Sequence, residues 1–144
     1  MRVVLDTATV VAAIRSDAGA SRRLLRTALE RRRGFTPLVS VPLLIEYEEV
    51  LTRPEHLKAA GLSAADIGVL LDALAAVSEP VRLAYLWRPT LRDANDDMVL
   101  EVAVNGRADA IITFNLRDFS SASKQFGLSI QSPGEALMKL EKTP

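Results

Sequence analysis

Apolar positions along this chain fall into short continuous runs separated by longer stretches with helical spacing. Val3-Val4-Leu5 is continuously apolar and rich in β-branched residues, which predicts a buried strand, and it runs directly into Asp6. Thr9 to Arg15 predicts a helix. Asp17-Ala18-Gly19-Ala20-Ser21 predicts a break, with Ser21 as the N-cap of a second helix. In that helix Leu24, Leu25, Ala28 and Leu29 share one face, arginines take the other, and Gly34 closes it. Leu38 to Ser40 reads as a short strand. Leu43, Leu44, Tyr47, Val50 and Leu51 mark a helix that Pro54 ends. A further helix starts near Ser63, carries Leu70, Leu71, Leu74 and Val77 on one face, and stops at Pro80. Val81 to Leu86 reads as a strand and Trp87 to Asn95 as a loop. The next helix presents Val99, Leu100, Ala103 and Val104. Ala110 to Thr113 and Leu128 to Gln131 predict two more strands, and Pro133 opens a final helix.

Strands separated by helices imply an α/β fold with a central, mainly parallel sheet and helices on both faces. No internal repeat, low-complexity stretch or linker interrupts the pattern, so residues 1–144 read as one domain. The length suits a single sizeable core, and 49% hydrophobic residues exclude a disordered chain. No apolar run reaches the length of a membrane span, and Asp6 interrupts the first one too early for a signal peptide. The expectation is a soluble cytoplasmic protein without membrane partners.

The formal net charge is zero, so no global field draws in nucleic acid. Locally the charge is uneven: Arg22, Arg23, Arg26, Arg31, Arg32 and Arg33 make the early part basic. Those arginines suit phosphates, an acidic partner, or simply a solvated helix face. The chain has no cysteine, which excludes disulfides, thiolate catalysis and Cys-type zinc sites. Its one histidine, His56, follows Arg53-Pro54-Glu55 at an expected helix break and reads as a surface or helix-start residue.

The chemistry therefore falls to the acids. In an open α/β sheet, ligands gather outside the carboxyl ends of the strands. Asp6 stands at one such end, and Thr113-Phe114-Asn115-Leu116-Arg117-Asp118 at another. Asp93, Asp96 and Asp97 precede a helix. Carboxylates brought to one point repel one another unless a cation neutralises them, and an oxygen-rich set suits Mg²⁺ or Mn²⁺. Each acid also has a plainer explanation. Asp6 and Asp118 suit helix caps, and the aspartates at 93, 96 and 97 suit a helix N-terminus. Glu46 sits beside Glu48 and Glu49, and the helical pattern alone leaves the choice among them open. Thr113 and Ser40 are hydroxyls at strand ends, suited to orienting substrate or to local structure.

At this point the chain resembles the PIN-domain family, and within it the subgroup of toxin components of toxin–antitoxin pairs. The resemblance lies in Val3-Val4-Leu5-Asp6-Thr7, in Gly19 to Leu25, in the run from Val39 to Leu51, in Arg53-Pro54-Glu55, in Asp96 to Glu101, and in Ile111 to Phe119. It implies a metal-dependent endoribonuclease. The resemblance selects Asp6, Glu46 and Asp97 as the first three carboxylates, with Asp96 beside the third and Asp93 peripheral. Asp118 would then supply the fourth, and Asn115 an amide oxygen where many members have aspartate. One or two Mg²⁺ or Mn²⁺ ions would activate a water for in-line attack on an RNA phosphodiester. A protein antitoxin and a homodimer or higher oligomer are the implied partners. Ala8 and Asn115 depart from the family pattern, and so leave a second reading: a weakly active module that binds an antitoxin or nucleic acid. A third reading, a phosphatase using Asp6 as nucleophile, is weakened because position 8 is alanine rather than an acid.

Overall fold

The structure is a computed structural model that describes residues 1–32, 34–84 and 94–142. Five strands among these residues form one sheet: β1 (Arg2–Leu5), β2 (Thr36–Val39), β3 (Glu79–Pro80), β4 (Ala110–Ile112) and β5 (Ser129–Gln131). The order is β3-β2-β1-β4-β5, and every pairing is parallel. Residues 3–5 and 110–112 are buried, as expected for central strands covered on both faces. From β1 the chain steps to β2 and β3 on one side, then returns to β4 and β5 on the other. Right-handed crossovers in opposite directions put helices on opposite faces of the sheet. The reversal falls between β1 and β4.

The helices are α1 (Thr7–Arg15), α2 (Ala20–Leu29), α3 (Val41–Leu51), α4 (Pro54–Ala60), α5 (Ala64–Val77), α6 (Ala94–Asn105), α7 (Ser120–Phe126) and α8 (Pro133–Lys142), with a 3-10 turn at Leu116–Phe119. Several departures from the expected pattern have physical causes. Helix α2 starts after Gly19, not at Ser21, whose hydroxyl is buried inside the helix. It ends at Leu29, and the left-handed residue that turns the chain is Arg31 (φ 53°), with Gly34 (φ 82°) in the turn that follows. Pro54 does not simply end α3; it occupies the first turn of α4, where its missing N–H costs nothing. Gly61 closes α4 in the left-handed conformation (φ 69°). Helix α5 ends at Val77, so Pro80 belongs to β3, an edge strand where a proline is tolerated. Val81 donates to Val39 at 2.7 Å, but residues 81–84 form no strand. Tyr85 and Leu86, Trp87 to Asp93 and Arg33 lie outside the described residues.

Among the described residues no single helix is long and apolar enough to cross a membrane.

Candidate active site

Strand register builds the site. Val3, Val4 and Leu5 pair with Ala110, Ile111 and Ile112. The next residue on each strand is Asp6 and Thr113, so the two leave the sheet side by side. Asp6 is the N-cap of α1: its Oδ1 accepts the Thr9 N–H at 2.8 Å and the Thr9 hydroxyl at 2.6 Å. Oδ2 accepts a short hydrogen bond from the buried Thr113 hydroxyl. That hydroxyl oxygen in turn accepts the Asn115 N–H at 2.9 Å. Asp6 thus caps the helix and also borders a cleft. Thr113 positions it. Ser40 caps α3 by accepting the Leu43 N–H at 3.2 Å.

The choice among the glutamates is made by helix phase. The buried positions of α3 are Leu43, Glu46, Tyr47, Val50 and Leu51. Glu46 falls on this stripe, three residues after Leu43 and four before Val50, whereas Glu48 and Glu49 are exposed. Tyr47, the next residue, is buried and donates its hydroxyl to the Leu5 carbonyl. Burial raises the Tyr47 phenol well above its usual range, and the negative charge of Asp6 adds to the shift.

Asp6, Glu46, Asp96 and Asn115 line one cleft of about 320 Å³, together with Arg53 and His56. Ala8 also borders it. This cleft lies at the carboxyl ends of β1 and β4, where the strand order reverses and open α/β sheets bind ligands. Asp97 does not border it: the residue is 1% exposed, one helical turn before the equally buried Glu101. Asp118 is exposed, inside the 3-10 turn, and outside the cleft lining. It caps neither that turn nor α7, whose N-cap residues Asn115 and Phe119 make no side-chain cap bond. Asp93 lies outside the described residues.

The donor chemistry suits a hard divalent cation, since carboxylates and an amide oxygen predominate and thiols are absent. Asp6 spends three acceptor sites on hydrogen bonds, and a carboxylate offers about four. As the side chains are placed, no group of three or more His, Asp or Glu among the described residues is close enough to hold a metal. The lining and the spacing thus point different ways. The lining places these residues on one cleft, and their spacing stops short of a coordinating set.

Among the described residues, Arg22, Arg23, Arg26, Arg31 and Arg32 do not border this cleft. Arg22 donates to the Ala13 and Ile14 carbonyls at the end of α1, and Arg23 pairs with Glu141 at 2.7 Å. Among the described residues the basic side chains that border the cleft are instead Arg53 and His56, the latter expected only as a surface or helix-start residue. The signal for them was weak: it lay in Pro54 starting α4, which brings the first turn of that helix against α1.

Comparison with known proteins agrees with the geometry. The PIN-domain family model matches residues 2–117, and the chain belongs to that family. PIN domains are in general nucleases that use divalent metals. No curated protein matches the chain significantly in sequence. Nine chains of solved structures match it in fold. One comes from the crystal structure of VapBC2 from Rickettsia felis bound to a DNA fragment from their promoter. It superimposes with a TM-score of 0.59 at 16% identity, over 92% of this chain and 98% of that one.

Proposed function

We propose that this protein is a metal-dependent endoribonuclease of the cytoplasm, the toxin of a toxin–antitoxin pair, and that residues 1–144 form its one nuclease domain. The observation that carries the reading is the register that sets Asp6 beside Thr113 at the strand reversal, in a cleft shared with Glu46, Asp96 and Asn115. Asp6, Glu46 and the Asp96–Asp97 pair would hold Mg²⁺ or Mn²⁺, with Asn115 and Asp118 as the proposed remaining oxygen donors. The bound ion supplies Lewis acidity and makes a water easier to deprotonate. Thr113 and Thr9 donate their hydroxyls to the Asp6 carboxylate and hold it in place. Asp6, Glu46, Asp97 and Asp118 are the proposed catalytic residues.

The antitoxin is proposed to dock on a second, larger groove of about 720 Å³ between α1, α2 and α5, where Arg22 and Arg26 flank Ile14, Leu25 and Leu70. Asp17, Glu30 and Asp66 line the same groove, so it suits an apolar segment carrying charges of both signs. The Rickettsia felis complex pairs its toxin-like fold with a partner and DNA, and it is consistent with this arrangement. A homodimer or higher oligomer is proposed from the family resemblance.

The direct test is cleavage of single-stranded RNA by the purified protein. Cutting should require Mg²⁺ or Mn²⁺, stop with chelator, and vanish in Asp6→Asn while the fold persists. Cleavage that survives both chelator and substitution sinks the reading. A second reading, a module of little activity that binds antitoxin or nucleic acid, draws on Ala8 and Asn115, both of which border the cleft. RNA binding without cutting under any divalent ion would favour it.

A further inference from the structure

We propose that Arg53 and His56 form a phosphate-holding wall of the acidic cleft, seating a phosphate of the RNA beside the carboxylates; this rests on the nuclease reading and deepens it. An anionic strand approaching Asp6, Glu46 and Asp96 meets like charge, and a net-neutral chain offers no global field to offset it. The cleft therefore needs its own cations. Arg53 is the one Lys or Arg that borders it among the described residues. Its side chain is exposed, and none of the salt bridges among the described residues involves it.

The backbone explains the placement. Helix α3 delivers Glu46 and ends at Leu51; Thr52 and Arg53 turn the chain, and Pro54 starts α4. Arg53 and His56 are three residues apart across that start and so share one side of it. The His56 side chain is only 14% exposed, unlike a solvated surface histidine. Arg15 Nη1 stands 3.3 Å from His56 Nδ1. A guanidinium has no acceptor and does not give up its proton, so Nδ1 accepts and Nε2 carries the ring hydrogen. Glu55 Oε1, at 3.9 Å from Nε2, is beyond hydrogen-bond distance. Nε2–H is thus a donor suited to a phosphate oxygen, and the Arg53 guanidinium matches two such oxygens at once.

The test measures binding apart from cutting. Anisotropy of a fluorescein-labelled single-stranded RNA of roughly 12 nucleotides is read in Ca²⁺ across a salt series, for the wild type and four variants. Arg53→Ala should bind about tenfold more weakly, the loss of one charge-assisted contact. Its log-affinity against log-salt slope should fall by about 0.7, one phosphate fewer on a single strand. Arg53→Lys should keep the slope. His56→Ala should weaken binding, and His56→Gln, which retains a donor, should recover it. Mn²⁺ affinity should match the wild type throughout, and melting temperature should match it in the exposed Arg53 variants. An unchanged slope and affinity in Arg53→Ala, with wild-type RNA binding intact, overturns this inference alone. So does Mn²⁺ affinity that falls in step with RNA affinity, which would make Arg53 a support for the acids. A wild type that neither binds nor cuts RNA overturns the nuclease reading and this one with it.

Discussion

Asp6 shows how much one side chain is asked to do. It ends β1, caps α1 and borders the cleft, and Thr113 holds the oxygen that the cap leaves over. Thr113→Val keeps the shape but removes that donor, and it leaves the Asn115 N–H without its acceptor. The expected cost is about 1–3 kcal/mol in a urea melt. Mn²⁺ affinity should fall about tenfold or more, as for other residues that orient a ligand, and Thr113→Ser should recover both. Tyr47 gives a pH signature. Its phenol is raised above the usual value by burial and by Asp6, so the folded protein keeps a proton that the unfolded chain releases near pH 10. The unfolded state then binds fewer protons, and stability must decline as pH climbs. The Tyr47 contribution is therefore complete below about pH 10 and is lost above it, towards the higher folded value. Denaturant melts from neutral pH upward, in chelator so that Asp6 stays uncompensated, should show this decline in wild type. In Tyr47→Phe that part should flatten; an identical decline in both would remove Tyr47 as its source.

At the scale of elements, packing around α6 is the sensitive point. Gly106 follows this helix and lies against β2: an added Cβ would stand 2.8 Å from Val81 Cγ2 and 2.9 Å from Leu38 Cδ1. Gly106→Ala should therefore destabilise by about 1–3 kcal/mol while leaving Mn²⁺ affinity unchanged, because neither Val81 nor Leu38 borders the cleft. Equal stability would mean that Val81 and Leu38 yield freely. The elements that the hydrophobic pattern made readable were those with strong local character. Residues 3–5 and 110–112 are continuous apolar runs rich in β-branched residues, and α5 carries a capping box of Ser63 and Asp66. Helix α4 was hidden because proline punctuates both a stop and a start. Strand β3 was displaced because two residues at a sheet edge, one of them Pro80, carry no period at all. The same division runs through the site. Glu46 was readable in principle from the Leu43, Tyr47, Val50 phase. Arg53 and His56 were not, because only the tertiary return of α4 against α1 brings them to the acids.

For the whole molecule, topology decides the chemistry. The reversal between β1 and β4 opens a crevice, and strand register fills it with Asp6 and Thr113. The larger groove between α1, α2 and α5 is separate from it and carries the proposed antitoxin surface. Val69 is exposed on that groove, so Val69→Glu should block co-purification with the antitoxin while RNA cleavage persists; loss of both together would contradict two separate surfaces. The fourth oxygen donor is the remaining choice within the cleft. If Asp118 completes the set, Asp118→Ala should weaken Mn²⁺ binding more than Asn115→Ala; if Asn115 does, since it borders the cleft and Asp118 does not, the order reverses. All of this rests on the acids at the strand reversal holding a divalent ion. Isothermal titration of Mn²⁺ into the wild type and Asp6→Asn measures that directly. The account predicts saturable binding by the wild type at or below millimolar concentration, and a loss of about tenfold or more in Asp6→Asn, since an amide attracts the ion less than a carboxylate. No binding at millimolar Mn²⁺, or equal binding by the two proteins, would contradict it.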